Sequence, residues 1–418
     1  MDASRFEEYA VRQRVIALTT VAMLTLVGCT DGSADPAGAS STDASGAGAS
    51  KTGAPPSSAA ATTSAAPTSS SAPLSCAQQT AADLAPKEKI AQLVLVAMTP
   101  DSVDAAAAQI SAGNASGVFL LGGWPSIETT AAASAHIHEL SGDVDTWVAI
   151  DQEGGEVQQL RGGTVANSPA ALEQGAMDPA DLQTQAETWA ASLVEAGIDI
   201  NLAPVADVVP ADIGAANAPI GQFGRQYGAT PDAVTPPMIA FMKGMQGAGI
   251  LPTVKHFPGI GRIQGNTDVT TEGISDPSTT PDDPALAPFE AAIADGAPII
   301  MVSTAIYPSI DPDNNAAFSA PIITDLLRDD LGFDGVVMSD DLGAAASVSD
   351  VPVGQRLTRF VDAGGDVVLT ADPNQAVEMN SDALAKYDSD PQFAEKVDAA
   401  ALRILALKDE HGSLACSG

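Results

Sequence analysis

Short apolar runs alternate with segments of helical spacing from residue 84 onward. Each run is rich in branched residues and bounded by Gly, Pro or Asp, which is typical of buried strands. Several intervening segments, such as 181–197, 236–249 and 285–296, stop at a glycine, as helices often do. The strand candidates are residues 92–98, 117–123, 146–151, 198–205, 251–256, 298–304, 335–340 and 366–371.

This alternation predicts an α/β fold with a parallel sheet. Residues 76–418 are enough for a closed TIM (β/α)8 barrel in a single catalytic domain. An open doubly wound sheet is the alternative. Because no glycine-rich phosphate loop follows the first strand, we favour the barrel.

The N-terminus has the features of an export signal. Residues 15–28 form an apolar run after Arg12 and Arg14, too short to span a bilayer comfortably. The motif "LVGC" at 26–29 resembles the lipobox of bacterial lipoproteins. This resemblance implies a signal peptide over 1–28, lipidation of Cys29 and anchoring to the outer face of the bacterial cell membrane. An ordinary signal peptide with an incidental cysteine is the alternative.

The segment 29–75 is rich in Ala, Ser, Thr, Pro and Gly, and after Cys29 it contains Leu74 as its one large aliphatic residue. It cannot bury enough apolar surface to fold, so we expect a disordered linker. Cys76 and Cys416 bracket the domain that follows. In an exported protein this arrangement favours a disulfide between them, with two buried free thiols as the alternative.

The net charge of −35, from 53 acidic and 18 basic residues, argues against nucleic acid and anionic lipid as electrostatic partners. A solvated acidic surface is its simplest meaning. We expect a monomer whose membrane contact is the lipid.

If the barrel is correct, polar residues with chemistry should lie at the C-terminal ends of strands. Such residues are present, although any one of these acids could instead cap a helix. They are Asp151, Asp207, Lys255, His256, Asp340 and Asp341.

Asp340 and Asp341 are adjacent in a strand, so only one of them can face the barrel mouth, and Asp341 suits a helix-capping role better. Lys255, if buried, needs a partner, which a substrate oxygen or an acid such as Asp340 could supply. A structural ion pair is the alternative. For Asp151, ligand contact and turn stabilisation both remain open.

His136 and His138 lie two apart on a predicted helix and therefore diverge, which is a poor spacing for a metal. We interpret them, with His411, as surface residues. We expect no metal or cofactor, and there is no G-x-S-x-G motif or cysteine placed as a nucleophile.

Five motifs in order carry a family resemblance: "DQEGG", "INLAPVADV", "IGQFGRQYG", "VKHFPGIG" and "LLRDDLGFDGVVMSDDLG". The chain resembles glycoside hydrolase family 3, in particular its single-domain bacterial β-N-acetylglucosaminidases. The resemblance implies a retaining exo-β-glycosidase acting on terminal N-acetyl-β-D-glucosaminides, from cell-wall peptidoglycan fragments. Two alternatives are a degenerate barrel that binds muropeptides and a family 3 β-glucosidase.

The same resemblance assigns residues. Asp340 matches the family nucleophile, while Asp151, Arg225, Lys255 and His256 match residues that bind the terminal sugar. The chain departs from the family in two places. An Asp-Ser-His triplet that supplies the acid/base is replaced by Asn266, Thr267 and Asp268, so Asp268 becomes the candidate acid/base if its pKa is raised. An expected arginine is replaced by Gln159, and Arg161 could reach a similar place as a substrate contact.

Overall fold

The computed structural model describes residues 74–414, and within them eight parallel strands close a barrel. Each strand pairs with its neighbours in chain order, and β1 also pairs with β8, with Val94 opposite Val368. This closure confirms the TIM-type barrel and excludes the open sheet. The strands are β1 Val94–Met98, β2 Gly117–Leu120, β3 Trp147–Ile150, β4 Ile200–Asn201, β5 Leu251–Phe257, β6 Ile299–Val302, β7 Val336–Asp341 and β8 Val367–Thr370.

All eight strands lie within or beside their predicted ranges. Their residues are almost entirely buried, because helices cover the outside of the barrel and side chains fill its interior. At one such contact, the Phe257 ring of β5 packs edge-on against Phe289 at 5.2 Å.

Helices surround the barrel, and the three predicted helical segments are confirmed. The helix from Pro179 begins where the Asp178 carboxylate accepts a hydrogen bond from the Ala180 amide at 2.9 Å. The helices are α1 Cys76–Asp83, α2 Pro86–Gln92, α3 Val103–Ser111, α4 Ile127–His138, α5 Ala171–Gln174, α6 Pro179–Glu195, α7 Pro231–Gly247, α8 Ala287–Ala294, α9 Pro321–Asp330, which is π-helical, α10 Val353–Asp362, α11 Gln375–Ser389 and α12 Pro391–Glu410.

Long loops follow β3, β4, β5 and β6, at the C-terminal end of the barrel, and the loop after β3 begins with a hairpin of Gln152–Gly154 and Val157–Gln158. The β5 loop folds back on itself, since the Gln264 and Gly265 amides both donate to the Gly273 carbonyl at 3.0 and 2.8 Å. A side chain at position 265 would meet the Glu272 carbonyl at 2.0 Å, so only glycine fits there. This neck defines a compact tip that carries Asn266, Thr267 and Asp268.

The two ends of the described region meet at the N-terminal end of the barrel. Helix α1 packs against α12, and Leu414 pairs with Val144 just before β3. Cys29 and Cys416 lie outside the described residues, so the predicted lipidation and the Cys76–Cys416 disulfide stay predictions. The predicted signal peptide and almost all of the linker lie outside them too. Between residues 74 and 414, no helix is both long and apolar enough to cross a bilayer.

The surface prediction holds for all three histidines, of which His136 is exposed and His138 and His411 are only partly so. His138 is half-buried: its Nε2 lies 3.2 Å from the Gly197 carbonyl and 3.7 Å from the Asp199 carboxylate. His411 is half-buried as well. The helical spacing placed His138 correctly on α4, but it could not show that the segment before β4 packs against this ring.

Candidate active site

A buried lysine and a partly buried arginine at the barrel mouth share one buried carboxylate. Lys255 on β5 places its Nζ 2.7 Å from Oε1 of Glu153 and 2.5 Å from Oδ1 of Asp151. Arg225 donates from Nε and Nη2 to the two Glu153 oxygens at 2.8 and 2.7 Å, in a bidentate pair. Lys255 is therefore paired with Asp151 and Glu153 rather than with Asp340.

The pKa values of this network show charge compensation. Burial raises the pKa of Glu153, but the charges of Arg225 and Lys255 outweigh it and lower the pKa to about 2. Burial lowers the pKa of Lys255, and Asp151 and Glu153 reverse the effect, so it lies above its usual value. Glu153, Lys255 and Arg225 are therefore all charged at neutral pH, and the opposite charges compensate the burial of Glu153 and Lys255.

His256, next to Lys255, is held by a different acid. Its Nδ1 lies 2.7 Å from Oδ2 of Asp207, whose other oxygen accepts the Ile260 amide at 2.7 Å. Asp207 is fully buried in the loop after β4. This bond fixes the imidazole ring and leaves Nε2 as the ring nitrogen available to a ligand.

The two acids at the end of β7 have different surroundings. The Asp341 carboxylate accepts hydrogen bonds from the Gly343, Ala344 and Ala371 amides at 2.7, 3.0 and 2.8 Å. Asp340 accepts one bond, from the Asp341 amide at 2.8 Å. Asp341 thus organises the loop after β7 rather than capping the next helix, α10, whose N-cap residue is Pro352. Asp340 is the member of the pair with oxygens left for chemistry.

The tip of the β5 loop is docked beside this strand end. The carbonyls of Thr267 and Asp268 accept hydrogen bonds from the Ser347 and Ala346 amides, at 3.0 and 3.1 Å. Asn266 turns the chain by accepting the Asp268 amide at 2.9 Å. These bonds bring Asp268 into the electrostatic range of Asp340.

The pKa of Asp268 is raised to about 7. Burial among the mouth residues is the largest cause, and the charges of Asp340 and Asp341 follow. The Asp268 side chain nevertheless remains accessible to solvent. A carboxyl group in this state can donate a proton at neutral pH and take it back, as a general acid/base must.

The remaining candidate, Arg161, makes its hydrogen bonds outside this cluster. Its Nε and Nη2 donate to the carbonyls of Gln158 and Glu156, at 2.7 and 2.5 Å, and its side chain is exposed. Gln159, at the position of the family's arginine, accepts the Gly123 amide at 3.2 Å. The other predicted catalytic and sugar-binding residues thus lie at the barrel mouth, and the substrate contact of Arg161 stays a prediction.

Sequence reasoning missed Glu153 as a site residue. The available signal was its spacing in "DQEGG": two residues after Asp151 in an extended segment, it lies on the same side of the chain. Asp207 was noted only as a strand-end acid. Within residues 74–414, no group of three or more His, Cys, Asp or Glu side chains is arranged to hold a metal ion.

Comparison with known proteins agrees with this geometry. Residues 86–407 match the N-terminal domain of glycosyl hydrolase family 3. The chain is 44 % identical to the crystal structure of a β-N-acetylhexosaminidase from Beutenbergia cavernae, with a TM-score of 0.76 over 78 % of this chain and 99 % of that one.

Two further relatives have similar names. A β-hexosaminidase of Stenotrophomonas maltophilia is 40 % identical over 54 % of this chain and 67 % of its own length. A family 3 β-N-acetylglucosaminidase of Paenibacillus is 28 % identical, with a TM-score of 0.69 over 80 % of this chain and 64 % of that one. The family match spans most of the folded region and includes every site residue above, so the chain belongs to glycosyl hydrolase family 3 and is a glycoside hydrolase.

Proposed function

We propose that the protein is a retaining exo-β-N-acetylglucosaminidase in which Asp340 is the nucleophile and Asp268 the acid/base. One observation carries this proposal: a carboxyl group with its pKa raised to about 7 is docked by backbone hydrogen bonds beside the strand end that presents Asp340. The names of the relatives support the sugar, since two of them are hexosaminidases and one is an N-acetylglucosaminidase.

In the first step the Asp340 carboxylate attacks the anomeric carbon as the bond to the leaving oxygen breaks. Asp268 donates its proton to that oxygen, so the aglycone leaves as a neutral alcohol. In the second step Asp268, now a carboxylate, takes a proton from water, whose oxygen displaces Asp340 from the anomeric carbon. Both steps invert the centre, so the product retains its configuration.

The terminal sugar is bound by Asp151, Lys255, Arg225 and His256. Because Glu153 and Asp207 already orient the three basic groups, little rearrangement is needed when hydroxyl groups of the sugar replace water. A rigid, buried set of donors and acceptors also suits an exo-acting enzyme, which must fit one terminal ring.

The location and the source of substrate belong to the same proposal. Lipidated at Cys29 and tethered by the linker 29–75, the enzyme acts outside the membrane, on N-acetylglucosaminides released from the cell wall. Replacing Cys29 by Ala is expected to move the protein from the membrane fraction to the medium. Retention of the variant in membranes would contradict the lipid anchor. It would not bear on the proposed glycosidase activity.

The direct test is turnover of an aryl N-acetyl-β-D-glucosaminide by the full chain, compared with Asp340→Asn. We expect a loss of at least about 10³-fold in the variant. A fluorosugar inactivator should form a covalent adduct that mass spectrometry places on Asp340. Asp350→Asn, exposed on the loop after β7 and outside the proposed site, is the matched control. Saturable sugar binding without turnover or adduct would instead support a sugar-binding protein.

A further inference from the structure

The charges at the barrel mouth are unevenly distributed. Exposed acidic side chains lie on six of the eight loops that follow the strands: after β1, β3, β4, β5, β6 and β7. Representative members are Glu156, Asp212, Glu272, Asp313 and Asp350. Among the described residues of these loops, Arg161 is the one exposed base. Its guanidinium donates to carbonyls of its own hairpin, one of them the carbonyl of Glu156.

The deeper cations do not offset this asymmetry. Arg225 and Lys255 are ion-paired with Glu153 and Asp151, and Arg262 is paired with Asp283 at 2.6 Å. Asp340 and Asp268 have no such cation contact in the described structure, and the charges of Asp340 and Asp341 add to burial in raising the pKa of Asp268. Gln159, in the loop after β3, adds no charge.

We infer that the mouth selects substrates by the charge of the leaving group: aglycones with a carboxylate near the scissile bond are disfavoured, and neutral or amine-bearing aglycones are preferred. This inference rests on the proposed function and refines it. The terminal ring is bound among compensated charges, so it is insensitive to the imbalance. The aglycone would extend from that ring toward the acidic loops, where the negative charges of the exposed side chains have no cationic partner to offset them.

The chemical consequence is a choice among glycans. In an amino sugar chain such as partly deacetylated chitooligosaccharide, the ring that leaves carries a neutral amide or an ammonium group. In peptide-free muramyl disaccharides it carries a lactyl carboxylate. The structure favours the first class, and among cell-wall fragments it favours those whose carboxylates are amidated.

The test uses the full chain and disaccharides with the same non-reducing N-acetylglucosamine. Their reducing sugars are N-acetylglucosamine, glucosamine and N-acetylmuramic acid, and the methyl ester of the last is the control for its bulk. At low ionic strength we expect kcat/KM for the glucosamine compound to exceed that for the free muramic acid by at least about 10-fold. The ester should recover most of the difference. Salt at about 0.5 M should reduce it, because exposed charges are then screened within a few ångströms.

A triple variant, Asp212→Asn with Glu272→Gln and Asp313→Asn, removes charge from three loops without touching the proposed catalytic or binding residues. It should raise kcat/KM for the muramic acid compound and leave the neutral disaccharide unchanged. Equal rates for acid and ester at low salt, or a preference for the acid, would overturn the inference. If the enzyme hydrolyses aryl N-acetylglucosaminide but its kcat/KM for the disaccharides does not depend on the charge of the leaving sugar, only this inference is refuted. If it does not hydrolyse the aryl glycoside, the proposed function itself is refuted.

Discussion

Glu153 and Lys255 form a buried ion pair at the barrel mouth, with 2.7 Å between Oε1 and Nζ and side chains that are each 3 % exposed. The same carboxylate holds Arg225 through two further hydrogen bonds. Glu153 thus positions two of the groups proposed to bind sugar, Lys255 and Arg225. In the resting site it keeps two like charges close together that would otherwise repel each other.

Glu153→Gln should therefore weaken substrate binding and stability together. Removing one partner of a buried ion pair costs about 3 to 5 kcal/mol, because the remaining charges lose compensation. We expect a lower melting temperature and a larger effect on KM than on kcat. Glu156→Gln, on the same hairpin but exposed, is the control and should change neither the melting temperature nor KM. A Glu153→Gln enzyme with unchanged KM would show that Glu153 is only structural.

The activity should depend on pH through Asp268. Because this carboxyl group must carry a proton to assist the leaving oxygen and has a pKa of about 7, kcat/KM for a disaccharide should fall as the pH rises through about 7. Asp268→Ala should remove this alkaline limb and lower the rate by about 10² to 10⁴-fold.

The matching measurement varies the leaving group. A dinitrophenyl glycoside needs no proton, so it should lose far less activity in Asp268→Ala than a disaccharide does, and azide should restore turnover by forming the β-glycosyl azide. Glu272→Gln, on the same loop and exposed, is the control. If Asp268→Ala keeps the wild-type pH profile, another group is the acid/base.

The barrel itself could be predicted because its signal is local. Each strand is a short branched-residue run, and the parallel arrangement follows from the alternation with helices. Strand-end polar residues then identified Asp151, Lys255 and Asp340, since every strand of such a barrel ends at one face. The family motifs added Arg225, which no periodicity could single out in the long loop after β4.

Contacts between distant segments could not be read from the sequence. Glu153 is hydrogen-bonded to Arg225, 72 positions along the chain. Lys255 pairs with Asp151 rather than Asp340 because of how the ends of β3 and β5 approach each other. The sequence likewise could not show that the Arg161 guanidinium donates to the carbonyls of Gln158 and Glu156. Such choices depend on tertiary geometry and not on residue type.

The disulfide between Cys76 and Cys416 is a separate prediction. Helix α1 begins at Cys76 and packs on α12, and the described chain ends at residue 414, close to the start of β3. Loss of the crosslink through Cys76→Ser should destabilise the protein by about 2 to 5 kcal/mol, measured by denaturant unfolding. Thiol labelling of the unfolded, unreduced protein should modify neither cysteine. Labelling of both would contradict the crosslink.

The last prediction concerns Lys408, which lies at the opposite end of the barrel from the active site. It is fully buried on α12, where its Nζ donates to Oε1 of Gln92 and to the Asp145 carbonyl at 3.0 and 2.6 Å and lies 4.7 Å from the Trp147 ring centre. Burial lowers the pKa of Lys408 to about 7, and Asp199 and Asp145 oppose this effect only in part. The folded protein therefore binds this proton more weakly than the unfolded chain does.

Between about pH 7 and the usual lysine value of 10.5, the unfolded chain holds more protons at this site, so the contribution of Lys408 to stability rises with pH. In Lys408→Met this slope is absent. Each pKa unit corresponds to about 1.4 kcal/mol, so the stability of the variant relative to wild type should decrease by a few kcal/mol from pH 7 to pH 10. Denaturant unfolding at several pH values measures this difference, and Lys396→Met, exposed on the same helix, should show none. A constant difference between wild type and Lys408→Met would mean that Lys408 stays charged across the whole range, held by its two oxygen partners and the indole ring.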